Sequence, residues 1–189
     1  MKALEEKIVR EGQVLAGNVL KVGSFLNQRI DTLFMMEMGK EAASLFSGQK
    51  ITKVLTVEAS GIPFAFAVAS AIGVPMVFAK KHASANVSGA LYRASVYSYT
   101  HQRTYEIVVS REYIDESDKL LLVDDFLANG NALKGMIAIV GEAGAEVVGC
   151  CAAIEKGYQG GGDDLRAKGY HVESLAIVES MEDGLVFRK

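Results

Sequence analysis

The chain has 189 residues, 50% hydrophobic and 23% charged, enough to bury one sizeable core and too apolar for a disordered or fibrous protein. Its net charge of −3 gives no general attraction to phosphate backbones, so nucleic acid is not an expected partner and any anion must be held by a local site. Residues 61–79, GIPFAFAVASAIGVPMVFA, carry no charge, yet Pro63 and the Gly73-Val74-Pro75 break divide them into a helix and a strand, neither long enough to span a membrane.

The opening MKALEEKIVREG is charged and helical in period, with no apolar signal core, which leads to the expectation of a cytoplasmic protein. The periodicity predicts a first helix through about residue 11, an irregular stretch, and a second helix from Ile30 to about Phe46 with Asp31 near its start. After the turn at Ser47-Gly48, ITKVLTVE (51–58) reads as a strand, EASGI as a loop, PFAFAVASAIG as a helix stopped by Gly73, and VPMVFAK (74–80) as a second strand. Continuous apolarity in both strands suits a parallel sheet covered on two faces.

Residues 81–104, KHASANVSGALYRASVYSYTHQRT, change character and lead into the strand TYEIVVS (104–110), so a long hairpin or flap is expected from about His82 to Thr104. Tyr92, Tyr97, Tyr99 and Tyr105 beside Arg93 and Arg103 could suggest base stacking on nucleic acid, but the acidic balance and the lack of a nucleic-acid motif speak against it. The α/β pattern resumes with KLLLVDD (119–125), a helix from about Ala132 to Ala143, and the strand EVVGCCAAIE (146–155), in which adjacent Cys150 and Cys151 read as reduced core residues. DDLRAKGYHVESLAIVES (163–180) adds a short helix and a strand. The fold class is α/β with a mainly parallel sheet, whose ligands are expected beyond the carboxyl ends of its strands.

On that ligand face Asp124 and Asp125 end a strand. Two carboxylates roughly 4 Å apart repel by about 1 kcal/mol in water and about 4 kcal/mol at an effective dielectric near 20, so something should compensate them, as a vicinal diol or a divalent cation would. The following Ala128-Asn129-Gly130-Asn131-Ala132 leads into a helix with little side-chain bulk, which leaves backbone N–H groups open to a phosphate. Diol beside phosphate describes a ribose 5-phosphate, although the same residues could simply cap a turn. A metal-binding strand of a nucleoside triphosphatase would need a G-x-x-x-x-G-K-[ST] partner, and none occurs.

The run LLLVDDFLANGNA (120–132) resembles the signature of type I phosphoribosyltransferases, and the likeness extends through VLKVGSFLNQRID, LTVEASGI, FAKKH, VYSYT and AAIEKGYQ over almost the whole chain. The resemblance implies one phosphoribosyltransferase domain over 1–189, with a hood from about 1–30 and 156–189. It also implies transfer of 5-phosphoribosyl from phosphoribosyl pyrophosphate (PRPP) to N9 of xanthine, with Mg²⁺, in a homodimer. Residues Ala128 to Ala132 would bind the 5-phosphate, and Asp124 and Asp125 the ribose hydroxyls, directly or through Mg²⁺ and water. Leu20, Asn27 and Lys156 would contact the purine, while Glu58, Ala59, Ser60 and Gly61 would hold pyrophosphate with help from Lys80 and Lys81.

Ala128 is a departure, because some oxopurine-using relatives carry an acid there that exchanges a proton with the base; the proton acceptor therefore stays unassigned. Asn129 and Asn131 also differ from the common pattern, though their amides can still donate to phosphate oxygens. Taken alone, Lys156 reads as a solvated strand-end lysine, Tyr158 as packing and Asn27 as a helix-flanking residue. Guanine, hypoxanthine or adenine as acceptor is the alternative within the class. A non-catalytic PRPP sensor is a further one, for which the first 30 residues offer too little chain to form a DNA-reading module.

Overall fold

The computed structural model describes residues 1–17, 19–81, 89–98, 103–182 and 184–189. Helix α1 (Lys2–Glu11) is followed by a small antiparallel hairpin, β1 (Gln13–Leu15) and β2 (Val19–Lys21), where an irregular stretch was expected. Three-residue strands are too short to show a period of two, so nothing in their composition announces them. Helix α2 (Thr32–Leu45) starts where Asp31 accepts the Phe34 N–H at 3.2 Å, a cap worth about 1 kcal/mol. The other Asp31 oxygen takes Lys7 Nζ at 2.8 Å, with the ammonium above the Phe25 and Phe34 rings, so α1, α2 and the segment between them share one anchor.

Strand β3 (Lys53–Val57), α3 (Ile62–Ile72) and β4 (Met76–Ala79) form the first parallel crossover. The strands β5 (Leu91–Ser98) and β6 (Arg103–Ser110) pair antiparallel, as the hairpin reading expected, although 82–88 and 99–102, with His82 and Tyr99, lie outside the described residues. Then come β7 (Lys119–Leu127), α4 (Asn131–Glu142), β8 (Glu146–Lys156), a 3₁₀ turn at Gly157–Gln159, α5 (Gly161–Ala167), β9 (Val172–Ser180) and a short β10 (Val186–Phe187) that the sequence pattern did not indicate. The main sheet runs β10-β9-β8-β7-β3-β4, parallel except for β10.

Side chains alternate across this sheet and build two cores. Leu121, Val123, Cys151 and Ala153 pack with α1, α2 and α3 residues such as Ile8, Met38 and Phe64. Leu120, Leu122, Cys150 and Ala152 pack on the other face with Leu133, Met136 and Ile139 of α4 and with Val96 and Ile107 of the hairpin. The adjacent cysteines thus go to opposite cores as free thiols, and burial pushes Cys150 up to about 12. Among the described residues no helix is long and apolar enough to cross a membrane.

Strand β7 corrects one expectation. It does not end at Asp124-Asp125 but runs to Leu127, because β8 supplies partners as far as Leu127↔Glu155. Its pairing with β3 stops much earlier, at Leu55↔Leu122. One crossover leaves β3 toward β4 and the next leaves β7 toward β8, so the β3–β7 boundary is where the winding reverses and a crevice opens at the carboxyl ends.

Glu155, fully buried at the end of β8, is held by Arg166 of α5 through two hydrogen bonds of 2.9 and 2.8 Å and by Ser174 Oγ at 2.6 Å. Removing only the cation strands a buried carboxylate. Arg166→Met is therefore expected to lower unfolding free energy by about 3 kcal/mol, toward the small end for a buried pair because the guanidinium is partly exposed; urea unfolding reads this directly.

Candidate functional site

The crevice between β3 and β7 is bounded by two loops and floored by Asp124 and Asp125. Both residues are more than nine-tenths buried, at 7% and 5% exposure, which is unusual for carboxylates. Alternation along β7 sends them different ways. Asp125 accepts Asn27 Nδ2 at 2.9 Å and Ser60 Oγ at 3.0 Å, which joins β7 to the N-terminal segment and to the loop after β3. Asp124 faces the pocket, and its Oδ1 accepts the Asp125 N–H at 3.0 Å. Burial first, and then the neighbouring negative charge of Asp125, hold the Asp124 carboxyl well above its ordinary range; the Asp125 N–H and the charge of Lys81 oppose this only in part.

The loop that follows β7 is shaped by backbone rather than by side chains. Gly130 stands at φ 75°, ψ 11°, a left-handed conformation that other residues adopt only with strain, and α4 begins at once with no side chain capping its first turn. The amides at that helix start therefore remain available to an anion, with the helix dipole favouring negative charge. Asn131 Nδ2 donates to Tyr97 O at 2.9 Å, and Lys134 Nζ to Asn129 O at 3.2 Å, so the loop is tied to both the hairpin and α4.

Across the crevice, the Glu58–Ala59 peptide is cis, and Glu58 Oε1 accepts the Lys81 N–H at 2.7 Å. Gly61 passes so close to β7 that a Cβ there would lie 2.5 Å from Thr56 Oγ1 and 2.9 Å from Asp124 Oδ1; only glycine lets the loop approach this far. Lys80 pairs through its backbone with Val108 of β6, and Lys81 Nζ lies 5.4 Å from the centre of the Tyr105 ring. The phenol of Tyr105 is pushed up by burial and by the charge of Asp124.

Asp124, Ala128, Asn129, Gly130, Asn131, Ala132 and Lys156 line a single cavity of about 520 Å³, a size that suits a small-molecule ligand. Burial lowers the Lys156 ammonium from its ordinary value, and its Nζ lies 5.7 Å from the Phe126 ring centre. Glu58, Ser60, Gly61 and Lys81 are not among the lining residues: Glu58 bonds the Lys81 N–H, Gly61 approaches Asp124, and Ser60 and Asn27 both bond Asp125. Leu20 is not a wall of the cavity: it is buried in the first core, and Gly17 and Val19 beside it line the pocket instead. Phe126, Tyr97, Tyr105 and Gln159 also line the pocket, together with Val96, Leu127 and Leu133. Phe126, Val19 and Gln159 all fall in runs that carry the resemblance, but only folding brings them to one cavity.

Among the described residues, no group of three or more His, Cys, Asp or Glu side chains could hold a metal ion alone. Asp124, the carboxylate that lines the cavity, is a hard oxygen donor of the kind Mg²⁺ takes together with waters and phosphate oxygens, whereas both oxygens of Asp125 are already engaged by Asn27 and Ser60.

A parallel sheet wound in both directions, with an amide-rich loop and paired acids at its switch point, defines a sugar-phosphate-transferring class of protein, and the chain belongs to the phosphoribosyl transferase domain family, whose model matches residues 29–178. It is similar to xanthine phosphoribosyltransferases of Bifidobacterium adolescentis, at 55% identity covering 96% of this chain and 95% of that one, and of Limosilactobacillus fermentum, at 52% covering 98% and 95%. In fold it is similar to an APRTase of Giardia lamblia complexed with 9-deazaadenine, with a TM-score of 0.79 at 20% identity, covering 94% and 98% of the two chains.

The buried acid makes a stability prediction. The folded chain holds the Asp124 proton more tightly than the unfolded chain does, so this group's contribution is complete below its ordinary value of 3.8 and is lost as pH rises through the raised folded value. Denaturation midpoints of the ligand-free protein, followed from about pH 4 to 8, should fall more steeply in wild type than in Asp124→Asn; parallel profiles would contradict the buried charge.

Proposed function

We propose that this chain transfers 5-phosphoribosyl from PRPP to N9 of xanthine, releasing pyrophosphate and xanthosine 5′-monophosphate in purine salvage. The observation that carries the reading is that an amide-lined helix start, a buried aspartate and a half-buried lysine share one cavity. The xanthine phosphoribosyltransferases to which the chain is more than half identical supply the acceptor base.

In this reading the amides and side-chain amides of residues 128–132 grip the 5-phosphate. The ribose hydroxyls donate to Asp124, whose burial in a dry crevice makes those bonds worth more than they would be in water. Asp125, locked by Asn27 and Ser60, keeps β7 and the loop after β3 in register. Residues Glu58 to Gly61 receive pyrophosphate, with Lys80 and Lys81 close by to balance charge that grows as the C1′–O bond breaks. The C1′–N9 bond forms on the opposite face of the sugar, and the purine loses its ring proton. Lys156, at the purine end of the cavity, offers an ammonium to an oxo group of the base. Mg²⁺, held at Asp124 and reached by Asp125 only through water, would neutralise pyrophosphate charge when bound. The hairpin closes the cavity against water, which competes for the activated sugar.

The same proposal includes a hood formed by about 1–30 and 156–189, a cytoplasmic location and a homodimer. The edge strand β4 offers Phe78, 39% exposed, and α3 offers Phe66, 58% exposed, as apolar surface for a second copy.

Asp124→Asn with Asp125→Asn is expected to abolish turnover while leaving the circular dichroism spectrum intact; normal pyrophosphate release by the double variant would refute the assigned roles. A parallel assay of pyrophosphate release with xanthine, guanine, hypoxanthine and adenine should give the highest kcat/KM for xanthine, and a higher value for another base would reassign the acceptor.

A further inference from the structure

Three successive glycines, Gly160, Gly161 and Gly162, open α5 directly beneath the loop that follows β7. Gly161 donates its N–H to Ala128 O at 3.1 Å, and a Cβ on it would lie 2.2 Å from that oxygen and 2.6 Å from Gly130 N. The first turn of α5 is therefore a seat for the loop, in contact through backbone alone.

Glu155 holds that seat in place. A Cβ on Gly162 would lie 2.1 Å from Glu155 Oε1, so the turn rests on the carboxylate that Arg166 clasps with both terminal nitrogens. Arg166 also donates to Asp163 at 3.1 Å, and Asp163 accepts two bonds from Arg188 at 2.8 and 2.9 Å; Arg188 in turn pairs with Glu179 of β9. A continuous ladder of alternating charge thus runs from β9 through the chain end and α5 to the end of β8, and Lys156, the residue after Glu155, lines the cavity. An ion pair placed here is a poor choice for stability alone, since apolar residues of similar volume would serve at least as well.

We infer that Glu155 and Arg166 are positioning residues for the transfer reaction: through the Gly160–Gly162 turn they set the height of Ala128–Gly130, and with it the distance from the loop amides to Asp124. The inference rests on the reading of residues 128–132 as the PRPP 5-phosphate site. It predicts that disturbing the seat impairs PRPP more than the purine, although α5 touches neither reacting atom.

Steady-state kinetics on the full chain, with PRPP and xanthine varied in turn, test this in Gly161→Ala, in Glu155→Gln with Arg166→Gln, and in Gly130→Val as a disturbance of the loop itself. Melting temperature is recorded for each. The paired Gln variant is used because it leaves no lone buried charge. Gly161→Ala is expected to raise KM for PRPP about 10- to 100-fold, the loss that a misplacement of the order of an ångström produces. The KM for xanthine should stay within about twofold, and the paired variant should shift in the same direction without a matching loss of melting temperature. Equal rises in both KM values, or an unmoved KM for PRPP in Gly161→Ala and the paired variant while Gly130→Val raises it, would overturn the positioning role alone. An unmoved KM for PRPP in Gly130→Val would overturn the phosphate-loop reading, and the inference with it.

Discussion

Strands β3 and β7 share three residue pairs, Lys53 to Leu55 against Leu120 to Leu122, and then part, while β7 stays hydrogen-bonded to β8 for five residues more. Past Leu122 the side chains of β7 meet loops where a neighbouring strand is lacking: the Asp125 carboxylate accepts from Ser60 and Asn27, and Gly61 closes on Asp124. The rigidity that β8 gives to β7 is what makes such a crevice usable, because groups on a paired strand are held more precisely than groups on loops.

The same arrangement places two acids where burial makes them costly. The apolar rows that precede them, Leu120 to Val123, commit β7 to the sheet interior, and the backbone cannot then withhold Asp124 from the crevice. A carboxyl held well above its ordinary range is poised to gain from any ligand that donates hydrogen bonds or positive charge. A costly burial in the folded chain thus becomes differential affinity for a ligand that meets this carboxyl, a conflict between folding and function that is expected at a site rather than in a core.

Two supports converge on the loop after β7. From above, Asn131 ties it to the hairpin through Tyr97 O; from below, the glycine turn of α5 carries it. Lys134 bridges the two, bonding Asn129 O and pairing with Asp164 of α5 at 2.7 Å. Lys156 and the support of the loop are consequently joined, since Glu155, Lys156 and the glycines belong to one short stretch of chain and Gly161 bonds Ala128.

Much of this was legible in the residues. The helical periods around Asp31 and between Pro63 and Gly73, the continuous apolar strands, and the adjacency of two acids to a small-residue loop before a helix are local patterns, and local physics produces them. Less legible were the hairpin of three-residue strands, the two further residues of β7 and the exclusion of Leu20 from the cavity wall. Each depends on a partner distant in the chain: β8 prolongs β7, and the first core claims Leu20. Glu155 looked like an ordinary residue at a strand end, because its clasp comes from Arg166 and Ser174, which contact it only after α5 folds back and β9 pairs with β8. Sequence by itself determined the elements and the chemistry of the groups they carry, through propensity, periodicity and side-chain type. Tertiary structure alone decided which of those groups lose water and which meet, because desolvation and contact depend on where elements remote in the chain come to rest.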